Sequence, residues 1–334
     1  MRHFFFNRVV HTIALFLIFS YCNGGDIQPD PFSLTDTTLI YRLDDYVDVF
    51  LDSTNSLTIS QVADPGFDNY FRPGNGLTFG YTESPIWLRL KTKTAKPTTD
   101  WYLEIPAPYV EYVDFYQLRS DGIWENSVAG YYRKQSEKAI AHTGHVLPIS
   151  FNDHLESTIY IRIEGKSPKT FPLIVLEKSK FHEKIRVEDI GYGLFFGILI
   201  VMFFYNLLLY LTLKEINYLL YIFTIICTFV IFCAASGYGG RFLWPETPIL
   251  NFYAGRMSMG VLTIFFTIFT IRFLEVKHYS KTMYYILCTL IPLGVIANIL
   301  VATDLVSSAG NHLISLATIL FMSTGVVCRI NGNR

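Results

Sequence analysis

The sequence predicts a multi-domain membrane protein, with a β-sandwich or jelly-roll ectodomain followed by an α-helical transmembrane bundle. Three observations predict it. The N-terminus has the three-part pattern of a secretory signal. Short segments of alternating polarity fill residues 25–185. Long apolar runs almost free of charge fill residues 186–334.

Arg2, His3 and Arg8 give the N-terminus a positive start, and an apolar run from Val9 to Ser20 follows. Small and polar residues come next at Cys22-Asn23-Gly24-Gly25. Residues 1–24 therefore read as a signal peptide, too short in its apolar part to span a bilayer comfortably. Leu17 to Cys22 also resembles a lax lipoprotein cleavage site, although Tyr21 fits poorly before the cysteine, so lipidation of Cys22 stays open.

Charged residues make up 16 % of the chain and hydrophobic residues 51 %. An average soluble domain carries roughly 25 % charge. The deficit is concentrated after Ile190, and residues 26–189 are charged like an ordinary soluble domain. A net charge of −1 and the lack of a basic stripe speak against nucleic acid as a partner. The cysteines are Cys22, Cys227, Cys233, Cys288 and Cys328, so the exported domain has no disulfide framework and depends on its own core.

Within that domain Ile86-Trp87-Leu88-Arg89-Leu90-Lys91 alternates cleanly, with Leu88 and Leu90 on one face and Trp87, Arg89 and Lys91 on the other. Trp101–Ile105 is a second strand, ended by Pro106 and Pro108. Val110 to Leu118 is a third, closed by the turn Ser120-Asp121-Gly122. Thr158–Glu164 stops at Gly165-Lys166-Ser167-Pro168, and Phe171 to Leu176 is a last short strand. Many short strands with no helix-period segment between them indicate a sandwich or jelly roll.

About five spans follow, at residues 190–213, 217–236, 254–274, 282–303 and 306–328. Each approaches the ~20 residues needed to cross a hydrocarbon core as a helix. If the N-terminal domain is exported, the first span runs inward. Lys214, Arg272, Lys277, Lys281, Arg329 and Arg334 then lie inside, against Arg241 and Arg256 outside. That bias agrees with the positive-inside rule. The predicted location is a bacterial inner membrane, multi-pass, with the N-terminal domain periplasmic and the C-terminus cytoplasmic.

The residues read so far, taken together, resemble a known family. Leu77 to Leu90, followed by Trp101 to Pro106, is similar to the extracellular domain of bacterial 7TM receptors with diverse intracellular signalling modules, the second of their two ectodomain types. Asp48 to Val62, Gly130, Tyr160-Ile-Arg162 and Pro172-Leu173 also match, as do Gly193 to Leu207 and Asn217 to Tyr221 at the opening of the bundle. The resemblance implies a jelly-roll ectodomain suspected of binding carbohydrates or related small molecules. It also implies seven spans and a cytoplasmic output module such as a kinase, cyclase or phosphatase. The sequence given stops at Arg334 after about five spans, which suggests a truncated member or one that signals through a partner.

Candidate ligand-binding residues are Trp87, Arg89, Tyr160, Arg162 and Glu164. Trp87 shares a face with Arg89, and Tyr160 shares one with Arg162 and Glu164; neighbouring strands would merge them into one patch. Guanidiniums bind carboxylates and phosphates, and aromatic faces suit sugars and cations. The same residues would equally form a structural Arg–Glu pair over a packed Trp. Further aromatic residues of the domain, Trp101, Tyr102, Tyr109, Tyr112, Trp124, Tyr131 and Tyr132, read singly as core or ordinary surface. No metal-ligand spacing is present, since His142 and His145 lie in a loop without a partner nearby in sequence. No cofactor is expected.

In the bundle, Asn206 is the polar transmembrane residue, expected to hydrogen-bond to another helix. Arg256 and Asp304 read as charges at span ends. Gly237, Gly239 and Gly240 read as a turn before an interfacial Trp244. An intramembrane serine protease built on Ser236 and His312 lacks the leading glycine of its nucleophile turn and any group to orient the histidine. A transporter would want a broken helix, and Pro292-Leu-Gly294 is the one mid-span interruption. The reading is therefore a non-enzymatic membrane receptor: a small extracytoplasmic ligand outside, the lipid bilayer around the bundle, a cytoplasmic signalling protein or module inside, and oligomeric state open. The alternative is a membrane-anchored binding or accessory protein with no output of its own.

Overall fold

The computed structural model describes residues 31–303, except 36–39, 75, 95–99, 120 and 152–155. The signal peptide (1–24), the fifth span (306–328), Asp304 and His312 lie outside the described residues.

Two sheets form the N-terminal domain. The larger runs β4 (Arg72–Pro73), β3 (Val47–Leu51), β6 (Ile86–Thr94), β11 (Glu156–Glu164), β8 (Tyr112–Leu118) and β9 (Trp124–Ala129), with β1 (Phe32–Leu34) parallel to β6. The smaller runs β10 (His145–Ile149), β7 (Trp101–Ile105), β13 (Ile174–Glu177) and β2 (Ile40–Arg42). A two-stranded ribbon joins β5 (Thr78–Gly80) to β12 (Lys169–Thr170). Alternation puts Leu88, Leu90, Ile159, Ile161, Val113 and Phe115 of the larger sheet against Trp101, Leu103, Ile105, Leu147 and Val175 of the smaller, all buried in one core. The architecture is a β-sandwich, as the period-2 pattern predicts.

Each sheet also has an outer face, and both are covered. Residues 52–71 fold over the larger sheet. Their helix Ile59–Val62 starts where the Thr58 amide donates to Gln61 Oε1 at 2.9 Å, and Asp64 caps the following turn Pro65–Tyr70 by accepting from the Gly66 amide at 2.7 Å. The smaller sheet is covered by the first turns of a long helix, α1 (Lys178–Leu213).

Strand β13 enters α1 without a linker, because Glu177 caps the helix, accepting from Ser179 N at 2.9 Å. The helix begins well before the charge-free stretch at 190, since its first turns are charged and face the sheet and water. Then come α2 (Ile216–Ala235), α3 (Ile249–Phe273) and α4 (Lys281–Ala302). Among the described residues these are four helices long and apolar enough to cross a membrane.

The bundle is packed by rings outside and small residues inside. Phe223 stacks on Phe265 between α2 and α3, with centroids 4.5 Å apart. Between α3 and α4, Gly260 meets Gly294, where an added Cβ would lie 2.9 Å from the Gly260 carbonyl oxygen. Large apolar side chains such as Ile198, Val201, Phe204 and Leu208 face outward, as lipid contact requires.

Candidate functional site

The larger sheet's outer face gathers the five residues singled out from sequence. Pairing of β6 with β11 sets Arg89 opposite Tyr160 and Trp87 opposite Arg162. On the flanks β3 sets Asp48 beside Arg89 and Phe50 beside Trp87, and β8 sets Tyr116 beside Tyr160 and Asp114 beside Arg162. Directly opposed residues point to the same side of a sheet, so these strands share one patch.

The patch has a roofed part and a rim. Arg89 is 2 % exposed and donates through Nε and Nη2 to Asp48 Oδ2 at 3.0 and 2.8 Å. Its Nη1 meets Asp68 of the covering segment, and its guanidinium lies 4.4 Å from the centroid of the Phe71 ring. Burial alone would lower the Arg89 pKa, but Asp48 and Asp68 outweigh it and the value is raised. Trp87 is fully buried with Phe71, Tyr160 and Val62 and stacks on Tyr116 at 5.7 Å. Arg89 is thus a latch between sheet and roof, held by partners far from it in sequence.

The rim is different. Arg162 pairs with Glu164 at 2.6 Å, stands 3.9 Å from Asp114, and donates to Asn55 Oδ1 at 2.9 Å. Arg133 reaches Asp114 at 3.2 Å. Burial raises the Asp114 carboxyl although Arg133 and Arg162 stand beside it. Trp124 and Tyr116 are half-buried alongside. This rim offers charged forks and aromatic faces within reach of water.

Where the roof begins, the Asp52 carboxylate accepts from the hydroxyl and amide of Thr54 and from the amides of Asn55 and Leu57. Burial works against it, but these bonds hold its pKa below the usual value. No periodic pattern announces the roof; its local signals are the Thr58–Gln61 capping pair and the Asp64-Pro65-Gly66 turn.

The smaller sheet's outer face forms a joint to the bundle. Phe181 of α1 is buried against Tyr102 (5.0 Å) and His142 (5.4 Å), and Lys184 pairs with the fully buried Glu104 at 2.5 Å. His142, placed in a loop by the sequence reading, is buried here; His145, placed there too, opens β10 and is buried opposite Ile105 on the inner face. Burial lowers their pKa values to about 4 and about 3. Among the described residues no group of three or more His, Cys, Asp or Glu could hold a metal.

The α2–α3 connection docks on the same domain. Gln135 N donates to the Pro245 carbonyl at 3.0 Å, Asn251 Nδ2 to the Tyr131 carbonyl at 3.0 Å, and Ser136 Oγ bonds Glu246 Oε2 at 2.8 Å. Trp244 covers Gly239, where any Cβ would collide with the ring, and its indole N–H donates to Asn251. The glycine turn before Trp244 is thus part of the dock.

In the bundle, Asn206 is buried, and its amide donates to Met202 O at 2.7 Å on its own helix. Ser236 Oγ donates to Phe232 O at 2.6 Å.

Comparison with family models finds two matches in tandem, 7TMR-DISM extracellular 2 over residues 44–177 and 7TM diverse intracellular signalling over residues 188–334. The chain belongs to the 7TMR-DISM family. It is a membrane sensor or receptor with an extracellular part and a 7TM-type part, multi-pass in the bilayer. The curated proteins give no match. The first model ends where β13 ends, and the second begins within α1, after the turns that pack on the sandwich.

Proposed function

We propose that this 7TMR-DISM chain is a receptor whose ectodomain binds a small ligand, a carbohydrate or carboxylate, and whose bundle relays binding to a cytoplasmic output module or partner. It sits in a bacterial inner membrane, with the ectodomain periplasmic, and performs no catalysis itself. Residues 1–24 act as the export signal. The ligand meets Arg162 and Glu164 at the rim, beside Tyr116 and Trp124, and reaches Trp87, Arg89 and Tyr160 when residues 52–71 lift.

The observation that carries the relay is the joint. Strand β13 becomes α1 without a linker, and α1 is fastened to the sandwich by Phe181 and by the Lys184–Glu104 pair. A ligand biases a receptor by the difference in its affinity for two states, and a rigid joint lets the ectodomain's state be felt in the span.

The test is hydrogen exchange on the full chain in nanodiscs, screened against sugars and organic acids. A ligand should protect residues 52–71 and 162–164 and alter exchange in 178–189. Arg162→Ala should remove both effects. Protection of the rim with no response in 178–189 would leave a binding protein and sink the relay.

A further inference from the structure

A cavity of about 380 Å³ lies between the ectodomain and the bundle, away from the ligand patch. Tyr109, Tyr131, Ser167 and Pro168 wall it from above; Ile231 and Ala235 of α2 and Phe252, Arg256 and Met259 of α3 wall it from below. Arg256 is the cation in it. The sequence reading placed it at a span end, but α3 starts at Ile249, which puts Arg256 about 10 Å along the helix.

The polar groups of the upper wall are already used. Tyr131 Oη donates to the Asn251 carbonyl, Tyr109 Oη to the Thr170 carbonyl, and Ser167 Oγ to Glu111 Oε1 at 2.7 Å. Glu111 also accepts from the Lys166 amide at 2.8 Å. Arg256 is the exception. Its guanidinium lies 3.8 Å from the centroid of the Phe252 ring and reaches the Phe252 carbonyl at a long 3.4 Å. Among the described residues it has no ion-pair partner.

A guanidinium with spare donors between apolar walls is costly unless an anion meets it. The spare donors ask for a carboxylate or phosphate. The apolar walls ask for a hydrocarbon or aromatic body and give a sugar too few partners. We propose that this cavity is a second binding site of the receptor, which takes an amphiphilic anion with its head on Arg256 and its body against Ile231, Ala235 and Met259. Because both domains wall the cavity, an occupant touches both at once. The anion can come from the bilayer or from the water outside.

The full chain in phosphatidylcholine nanodiscs tests this with two probes. One arm adds phosphatidylglycerol to the bilayer, with native mass spectrometry counting retained lipid. The other adds water-borne phenylbutyrate and reads the melting temperature. Saturable binding in either arm is expected, and the arm names the source. Arg256→Gln should weaken it by about tenfold or more, and Arg256→Lys should weaken it less. Ala235→Phe, which fills the cavity from its exposed edge and leaves the charge in place, should abolish binding; it carries the test alone if Arg256→Gln fails to assemble. Binding that survives Ala235→Phe would reduce Arg256 to a charge touching lipid headgroups and overturn the proposal. So would the absence of binding in both arms.

Discussion

Residues 52–71 close one outer face of the sandwich, and helix α1 closes the other. The first closure is internal to the ectodomain and hinges on a buried charge, Arg89 between Asp48 and Asp68. The second joins two domains and rests on an aromatic, Phe181, with a charged pair beside it. A disturbance of the first face reaches the bundle only through the strands and the core. A disturbance of the second moves the span directly. The difference separates a face closed within the ectodomain from a face fixed to the bundle.

That contrast can be broken most forcefully at Arg89. Arg89→Leu leaves the Asp48 carboxylate buried without its partner, and should destabilise the ectodomain by about 4 kcal/mol. Urea unfolding followed by tryptophan fluorescence measures it; a loss below about 1 kcal/mol, the scale of a surface pair, would mean the latch carries little.

Phe181→Ala opens the joint instead. The expected loss is about 3 kcal/mol, read as faster hydrogen exchange in residues 174–189 while the sandwich core stays protected. Faster exchange throughout the core would show that the joint and the sandwich are one cooperative unit.

The two faces of the smaller sheet should also be sensitive to acid, the outer through His142 and the inner through His145. His142 and His145 are held neutral by burial, with folded pKa values of about 4 and about 3. The unfolded chain binds protons near pH 6.5, and the folded chain does not. Their contribution is therefore intact above the unfolded value and fades as pH falls through it, on the order of 2 kcal/mol for each by pH 5. The double variant His142→Phe, His145→Leu should flatten this slope, and an unchanged slope would place it elsewhere. Glu104 acts the other way, since burial raises its pKa even with Lys184 beside it and its charged form weighs against folding as pH rises.

The smallest effect expected is at the edge of the roof. Asn55 holds a positive φ of 51° and accepts from Arg162. Asn55→Ala should cost about 1 kcal/mol in thermal unfolding, and Asn55→Gly less. Equal losses would assign the whole effect to the lost hydrogen bond.

The sequence made some of this plain. The alternation around Leu88 and Leu90 separates core from outer face, because a strand has only two sides. It therefore also places Trp87, Arg89, Tyr160 and Arg162 together, once the strands are neighbours. The partners of Arg89 were not legible. Asp48 lies 41 residues away in β3 and Asp68 lies 21 away in the roof, and nothing local to either announces the pairing. Lys184 and Glu104 are 80 residues apart, and nothing local to either announces the pair. The start of α1 was hidden for a different reason: hydropathy finds membrane, and the first turns of this helix are not in it. The cavity escaped because it belongs to neither domain alone.

Helix α1 is 36 residues of unbroken α-helix, fixed at its head to a sheet and free of proline along its length. Such a rod is about 54 Å long. It works as a lever arm, turning angle into distance. A tilt of about 5° at the sandwich would sweep its far end sideways by about 5 Å, roughly half the spacing between packed helices.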